Sequence, residues 1–293
     1  MRRYSMAAVL EVKNLTKKFK DFAINDISFT LEKGYIMGFI GPNGAGKSTT
    51  IKLIMNLLKK DDGEIKIFGL DNVEYEKEVK NRIGFVFDEN YFYEELTVME
   101  MKRVIAPLYK NWNDRVFNKY LKEFSLPAKA KIKELSKGMK MKFSIAVALS
   151  HEAELLIMDE PTSGLDPIIR SELLDILTFL IQDENKSVFF STHITSDLDK
   201  IADYITFINN GSIVFSCAKD DILENHGLVK GPKEILDADL RKYFIGLKET
   251  QFGFEGLTEN RQQVKRILRD RAIIDRPSLD DIMLYYAKEV QHV

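Results

Sequence analysis

An apolar run, Tyr35 to Ile40, empties into Gly41-Pro42-Asn43-Gly44-Ala45-Gly46-Lys47-Ser48, and a helical pattern follows at once. The spacing G-x-x-x-x-G-K-S is that of a phosphate-binding loop, which demands a buried strand before it and a helix N-terminus after it. Glycine is needed because only a backbone without Cβ wraps closely enough for successive N–H groups to converge on phosphate oxygens. Lys47 is then placed to reach the β- and γ-phosphates, and Ser48 to offer a hydroxyl to Mg²⁺. Ile51, Ile54, Met55 and Leu58 recur on one helical face, so the helix is expected to run to Leu58 and stop before Asp61-Asp62-Gly63.

A chain of 293 residues with a net charge of -2 has room for one large domain and an appendage, and no basic face that points to nucleic acid. Cys217 is the only cysteine, so no intrachain disulfide forms and a reducing, cytosolic setting is expected. Met1-Arg2-Arg3 opens basic, but Glu11 and Lys13 interrupt the apolar stretch behind it, so no secretory leader is expected. No apolar run reaches about eighteen residues, too short for a membrane-spanning helix.

Strands are predicted at Val9 to Val12 and Ile27 to Leu31, the second joined to the strand before the loop by a hairpin turn at Glu32-Lys33-Gly34. Phe19 and Phe22 lie between them, either as caps of the sheet or as an adenine-stacking ring. Glu64 to Phe68 and Arg82 to Phe87 read as further strands around the nucleotide. A helical subdomain, about residues 89–150, then begins: Thr97 with Glu100 forms a capping box, Asn113 caps a second helix and Ser136 a third. Leu155 to Met158 is a continuous apolar strand delivering Asp159 and Glu160 at its carboxyl end, the edge at which open α/β sheets bind ligands. Asp159 suits Mg²⁺, held through water or the Ser48 hydroxyl, and Glu160 suits orienting or deprotonating an attacking water. Asp166-Pro167 opens another helix, and Ser187 to Ser191 another strand with Thr192-His193 at its end. A lone strand-end histidine is ordinarily a satisfied core residue. Here its context favours a neutral imidazole that senses a γ-phosphate. Asn209-Asn210-Gly211 reads as a hairpin closing the domain near residue 218. Residues 219–293 form a smaller α/β unit ending in a helix capped by Ser278 and Asp281, with Ile282, Tyr286 and Val290 on one face.

In order, these residues resemble the ATP-binding subunits of ABC transporters, over roughly Val9 to Ala218. Leu155 to Glu160 is similar to the family's Walker B strand, Ser163-Gly164-Leu165-Asp166 to its D-loop, His193 to its switch histidine, and Leu135 to Met139 to its signature. The resemblance implies a P-loop cassette of the α/β class: a mixed-sheet core, an inserted helical subdomain and a small C-terminal α/β appendage. It implies ATP and Mg²⁺ as ligands. Phe19, Gly41 through Gly46, Lys47, Ser48, Thr49, Ser136 and Gly138 would hold ATP; Ser48, Asp88 and Asp159 the metal; Glu160, His193 and Lys47 would serve catalysis. It also implies two cassettes packed head to tail and an integral-membrane permease that receives their motion at a groove near Asp88 to Leu108, with the chain peripheral on the inner face of the membrane.

Three positions depart from the family pattern, Asp88, Lys137 and Met139. Its magnesium-contacting glutamine is Asp88 here, and its signature reads Ser-Lys-Gly-Met, a form that resembles export systems with separate permeases. Three readings follow: an ATPase powering export, a regulatory cassette with little turnover, or a soluble cassette acting on nucleic acid or ribosomes. Intact Lys47, Asp159, Glu160 and His193 favour the first, and the missing coiled-coil insertions and second cassette count against the last.

Overall fold

The computed structural model describes residues 7–87 and 91–289. The chain opens with β1 (Ala8–Lys18) and β2 (Ala23–Glu32), which pair antiparallel, and then enters β3 (Ile36–Ile40). No hairpin joins β2 to β3, contrary to the sequence expectation. The chain turns at Lys33-Gly34 and crosses into another sheet, where β3 lies parallel between two later strands. Burial explains the split. β2 alternates buried and exposed positions, suiting an antiparallel layer with one wet face, whereas every residue of β3 is buried and needs cover on both faces.

After the phosphate loop comes α1 (Lys47–Ile54), which stops short of Leu58. Asn56 adopts φ 52°, and the N–H groups of Leu57 and Leu58 both return to the carbonyl of Lys52. This left-handed ending closes the helix early. β4 (Asp62–Ile67) and β5 (Leu70–Asp71) join the first sheet, in the order β2-β1-β4-β5. α2 (Glu76–Asn81) leads to β6 (Ile83–Val86), the edge of the second sheet. β6 extends the sheet that holds β3, whereas β4 extends the first sheet, and neither adjoins β3.

The helical subdomain comprises α3 (Val98–Ile105), α4 (Asp114–Glu123) and α5 (Lys137–Ser150), opened by Thr97, Asn113 and Ser136 as caps. The chain then re-enters the second sheet through β7 (Leu155–Asp159), α6 (Pro167–Leu180), β8 (Ser187–Thr192), α7 (Thr195–Ile201) and the hairpin of β9 (Tyr204–Asn209) with β10 (Ser212–Ala218). Positive φ at Asn210 and Gly211 gives the turn expected there. The strand order is β10-β9-β3-β8-β7-β6. Its strands feed two cores by alternation: Leu156, Met158, Val188 and Phe190 pack toward the helices, while Leu155, Ile157 and Phe189 pack toward the first sheet. Phe29, Phe39 and Phe189 meet there with ring centroids 5.2–5.7 Å apart, locking the two sheets together.

Beyond 218 the chain forms α8 (Lys219–Asn225), β11 (Gly227–Gly231), α9 (Ala238–Arg241), β12 (Gly246–Thr250), β13 (Gly253–Thr258), α10 (Arg261–Leu268), β14 (Ile273–Asp275) and α11 (Leu279–Glu289). The third sheet, in order β12-β13-β11-β14, is antiparallel throughout and has the split β-α-β-β-α-β connectivity. One side carries its own small core of Val229, Leu240, Phe254, Val264 and Leu268. On the other side, Leu257, Leu279, Ile282 and Tyr285 merge with the main core. Ser278 and Asp281 make the expected reciprocal cap of α11, whereas Val290 lies outside the described residues. Among the described residues no helix is long and apolar enough to cross a membrane.

Candidate functional site

Register brings the chemistry to one edge. Ile40 pairs with Thr192, and Asp159 with Ser191, so β3, β7 and β8 release the phosphate loop, Asp159-Glu160 and His193 side by side. The loop fits only because its ends lack side chains. A Cβ on Gly41 would lie 2.2 Å from the Ile208 carbonyl oxygen, and Gly46 holds φ 113° with Phe22 and Ile24 pressed against it.

Lys47 is almost fully buried, its Nζ donating to the carbonyl of Gly41 at 2.8 Å and lying 3.2 Å from Glu160 Oε1. The other carboxylate oxygen of Glu160 meets His193 Nδ1 at 2.8 Å and accepts the His193 backbone N–H at 3.3 Å. Glu160 reaches both from a left-handed backbone, φ 48°, a conformation an L-residue keeps only when its surroundings over-determine it. Asp159 accepts from Ser191 Oγ at 2.9 Å and is hydrogen-bonded to Ser48. Burial, opposed by these two hydroxyls and assisted by the neighbouring Glu160 charge, raises the Asp159 carboxyl above the usual range.

Lys47, Ser48, Glu160 and His193 line an open cleft of about 760 Å³ with Asp21, Phe22, Asn43, Gly44, Gly46, Thr49 and Ser163, and Asp159 stands behind its wall, bonded to Ser48. Such a cleft presents backbone N–H groups and a lysine to an anion, and a carboxylate to a water beside it. The hard oxygens of Ser48 and Asp159 suit Mg²⁺, which prefers one or two protein oxygens and fills its shell with water and phosphate.

Other expected residues stand elsewhere. Phe19 does not line the cleft; its ring stacks on Phe22, centroids 6.2 Å apart, and it is Phe22 that forms the wall. Two aromatics three residues apart gave no sequence signal as to which turns inward. Ser136 and Gly138 lie at the start of α5, away from the cleft: Ser136 Oγ accepts the Met139 N–H, and Gly138 packs on Ile169 of α6. Asp88 lies outside the described residues. Sequence reasoning gave no role to Ser191, which holds Asp159, or to Asp21 of the lining; small polar residues at strand ends and turns carry no pattern of their own.

A second, more apolar groove of about 370 Å³ lies between the second sheet and the helical subdomain, lined in part by Phe85, Phe87, Tyr91, Ile105, Leu108 and Tyr109. Tyr91 and Leu108 are about 70% exposed on its rim. His151 lines it too, stacked on Tyr109 with centroids 3.8 Å apart; burial lowers its pKa to about 4, so the ring is neutral.

A protein-family model described as ABC transporter matches residues 24–163. The bacitracin transport ATP-binding protein BcrA of Bacillus licheniformis is 34% identical over 212 residues, covering 71% of this chain and 69% of that protein. The fluoroquinolones export ATP-binding protein of Mycobacterium tuberculosis is 30% identical over 284 residues, covering 94% and 92%. A solved structure titled as the ATP-binding subunit of an ABC transporter superposes with a TM-score of 0.66 at 30% identity, covering 74% of this chain and 92% of that one.

Proposed function

As the chain belongs to the ABC transporter family of ATP-binding proteins, we propose that it is the ATP-hydrolysing subunit of an exporter whose membrane passage is supplied by a separate permease. The observation that carries this is the convergence of Lys47, Glu160 and His193 at one cleft from the ends of three neighbouring strands, with Asp159 bonded to the cleft residue Ser48. The loop N–H groups and Lys47 bind the phosphates of ATP. Lys47 Nζ lies 3.2 Å from Glu160; a γ-phosphate that engaged that lysine would leave Glu160 to accept a proton from the attacking water. His193, already bonded to Glu160, then places that carboxylate relative to the γ-phosphate. Ser48 and Asp159 would hold Mg²⁺, which would supply positive charge against the phosphates.

Ser136 and Gly138 stand apart from their own chain's cleft, and this supports a head-to-tail pair in which each signature helix closes the partner copy's site. The apolar groove with Tyr91 and Leu108 on its rim is the surface offered to the permease, which would hold the chain on the inner face of the membrane. Relatives named for bacitracin transport and for fluoroquinolone export favour export. The regulatory and nucleic-acid readings have no such support. Steady-state ATPase of the full chain tests the proposal: turnover should be ATP-specific and be lost in Lys47→Ala together with tight ATP binding, because the lysine that reaches the β- and γ-phosphates is removed. ATP affinity unchanged in Lys47→Ala would refute the assignment of the cleft.

A further inference from the structure

Helix α7 spans only Thr195–Ile201 and begins two residues after His193. A helix this short does not hold itself in water, so its contacts determine where His193 stands. They come from three directions. From α6, Arg170 Nε donates to Asp197 Oδ1 at 2.5 Å and Nη2 to Ser196 Oγ at 2.8 Å, with Asp197 fully buried. From the start of α8, Lys219 Nζ donates to the carbonyl of Asp199 at 2.9 Å, satisfying the helix's C-terminal end. From α11, Asp280 Oδ1 accepts from Thr195 Oγ1 at 3.3 Å, while Leu279 and Ile282, without any exposure, join Leu198 of α7 in one core cluster. The last helix of the chain is thus fastened to the first residue of the helix that follows the switch histidine. By contrast, among the described residues no cleft-lining residue is hydrogen-bonded to any residue after 218.

We infer that Asp280 is a positioning residue for His193, so that the accessory unit acts through α11 and α7 on the hydrolytic step and leaves the capture of ATP alone. The inference rests on reading His193 as the residue that places Glu160 against the γ-phosphate. Asp280 is exposed and Thr195→Val keeps its volume, so neither Asp280→Ala nor Thr195→Val threatens the fold. In the full chain each should lower kcat about fivefold, the worth of one hydrogen bond, at unchanged equilibrium affinity for ATP. Asp280→Asn keeps an acceptor oxygen and should turn over as wild type. His193→Ala should abolish turnover, and adding Asp280→Ala to it should change nothing further. Wild-type kcat in Asp280→Ala and Thr195→Val, beside an inactive His193→Ala, would overturn the positioning role while sparing the reading of His193. Parallel loss of ATP affinity in the two variants would overturn it as well. Normal turnover in His193→Ala would sink both.

Discussion

Asp159 shows how a single side chain trades stability for function. Its carboxyl is raised from the ordinary 3.8 because it is buried, so folding takes up a proton there. The penalty is fully present above the raised folded value, shrinks as pH falls through it, and is gone below the unfolded one. Asp159→Asn should therefore raise the melting temperature of the nucleotide-free chain near neutral pH, by roughly 2–4 °C for each kcal/mol of penalty removed, and the gain should fade on acidification. The same variant should lose Mg²⁺-dependent turnover. Calorimetry across pH with a parallel ATPase assay checks both, and a lower melting temperature near neutral pH would contradict the burial argument. At this scale the sequence was most legible where a residue sits inside a rigid pattern. Lys47 and Ser48 are placed by the loop, and Asp159, Glu160 and His193 by the ends of apolar strands. It was least legible for Phe19 and Phe22, because a short polar connection imposes no period that tells one ring from the other.

Among the elements, α5 and α6 explain why glycine stands at 138. A Cβ there would lie 2.5 Å from Ile169 Cγ2, so the helix that begins at Ser136 is held close to the helix that begins after the D-loop. Gly138→Ala should destabilise the chain by about 1–3 kcal/mol through overpacking, and adding Ile169→Ala should recover most of that loss. Denaturant unfolding of the two single variants and the double variant measures it; strict additivity would mean that the contact is not the cause. Caps and buried strands were readable because both are local: Thr97, Asn113, Ser136, Asp166 and Ser278 all open helices as their sequence context implies. The supposed hairpin between β2 and β3 was not readable. A Lys-Gly turn looks the same whether the chain folds back on itself or crosses to another sheet, and the choice rests on partners more than a hundred residues away. The early end of α1 at Asn56 had a local signal, an asparagine suited to the left-handed ending, but the apolar spacing through Leu58 masked it.

For the whole molecule, the cleft and the apolar groove have no lining residue in common, so on the proposed function binding of a permease and binding of ATP are separable. Leu108→Asp, which puts a charge on the groove's exposed rim, should abolish co-purification with the permease from membranes while leaving the soluble chain's ATPase within about twofold of wild type, as for other exposed substitutions. Permease capture undiminished by Leu108→Asp would place the dock elsewhere. What remains decisive is the carboxylate that ties Lys47 to His193. Glu160→Gln keeps the side chain's volume and removes its basicity. The measurement is light scattering of this variant on size exclusion with and without ATP, beside its steady-state turnover. Tight ATP binding, no turnover and a dimer that forms only with ATP are the expected results. Turnover by Glu160→Gln at the wild-type rate would show that this cleft does not hydrolyse ATP in the manner its geometry indicates.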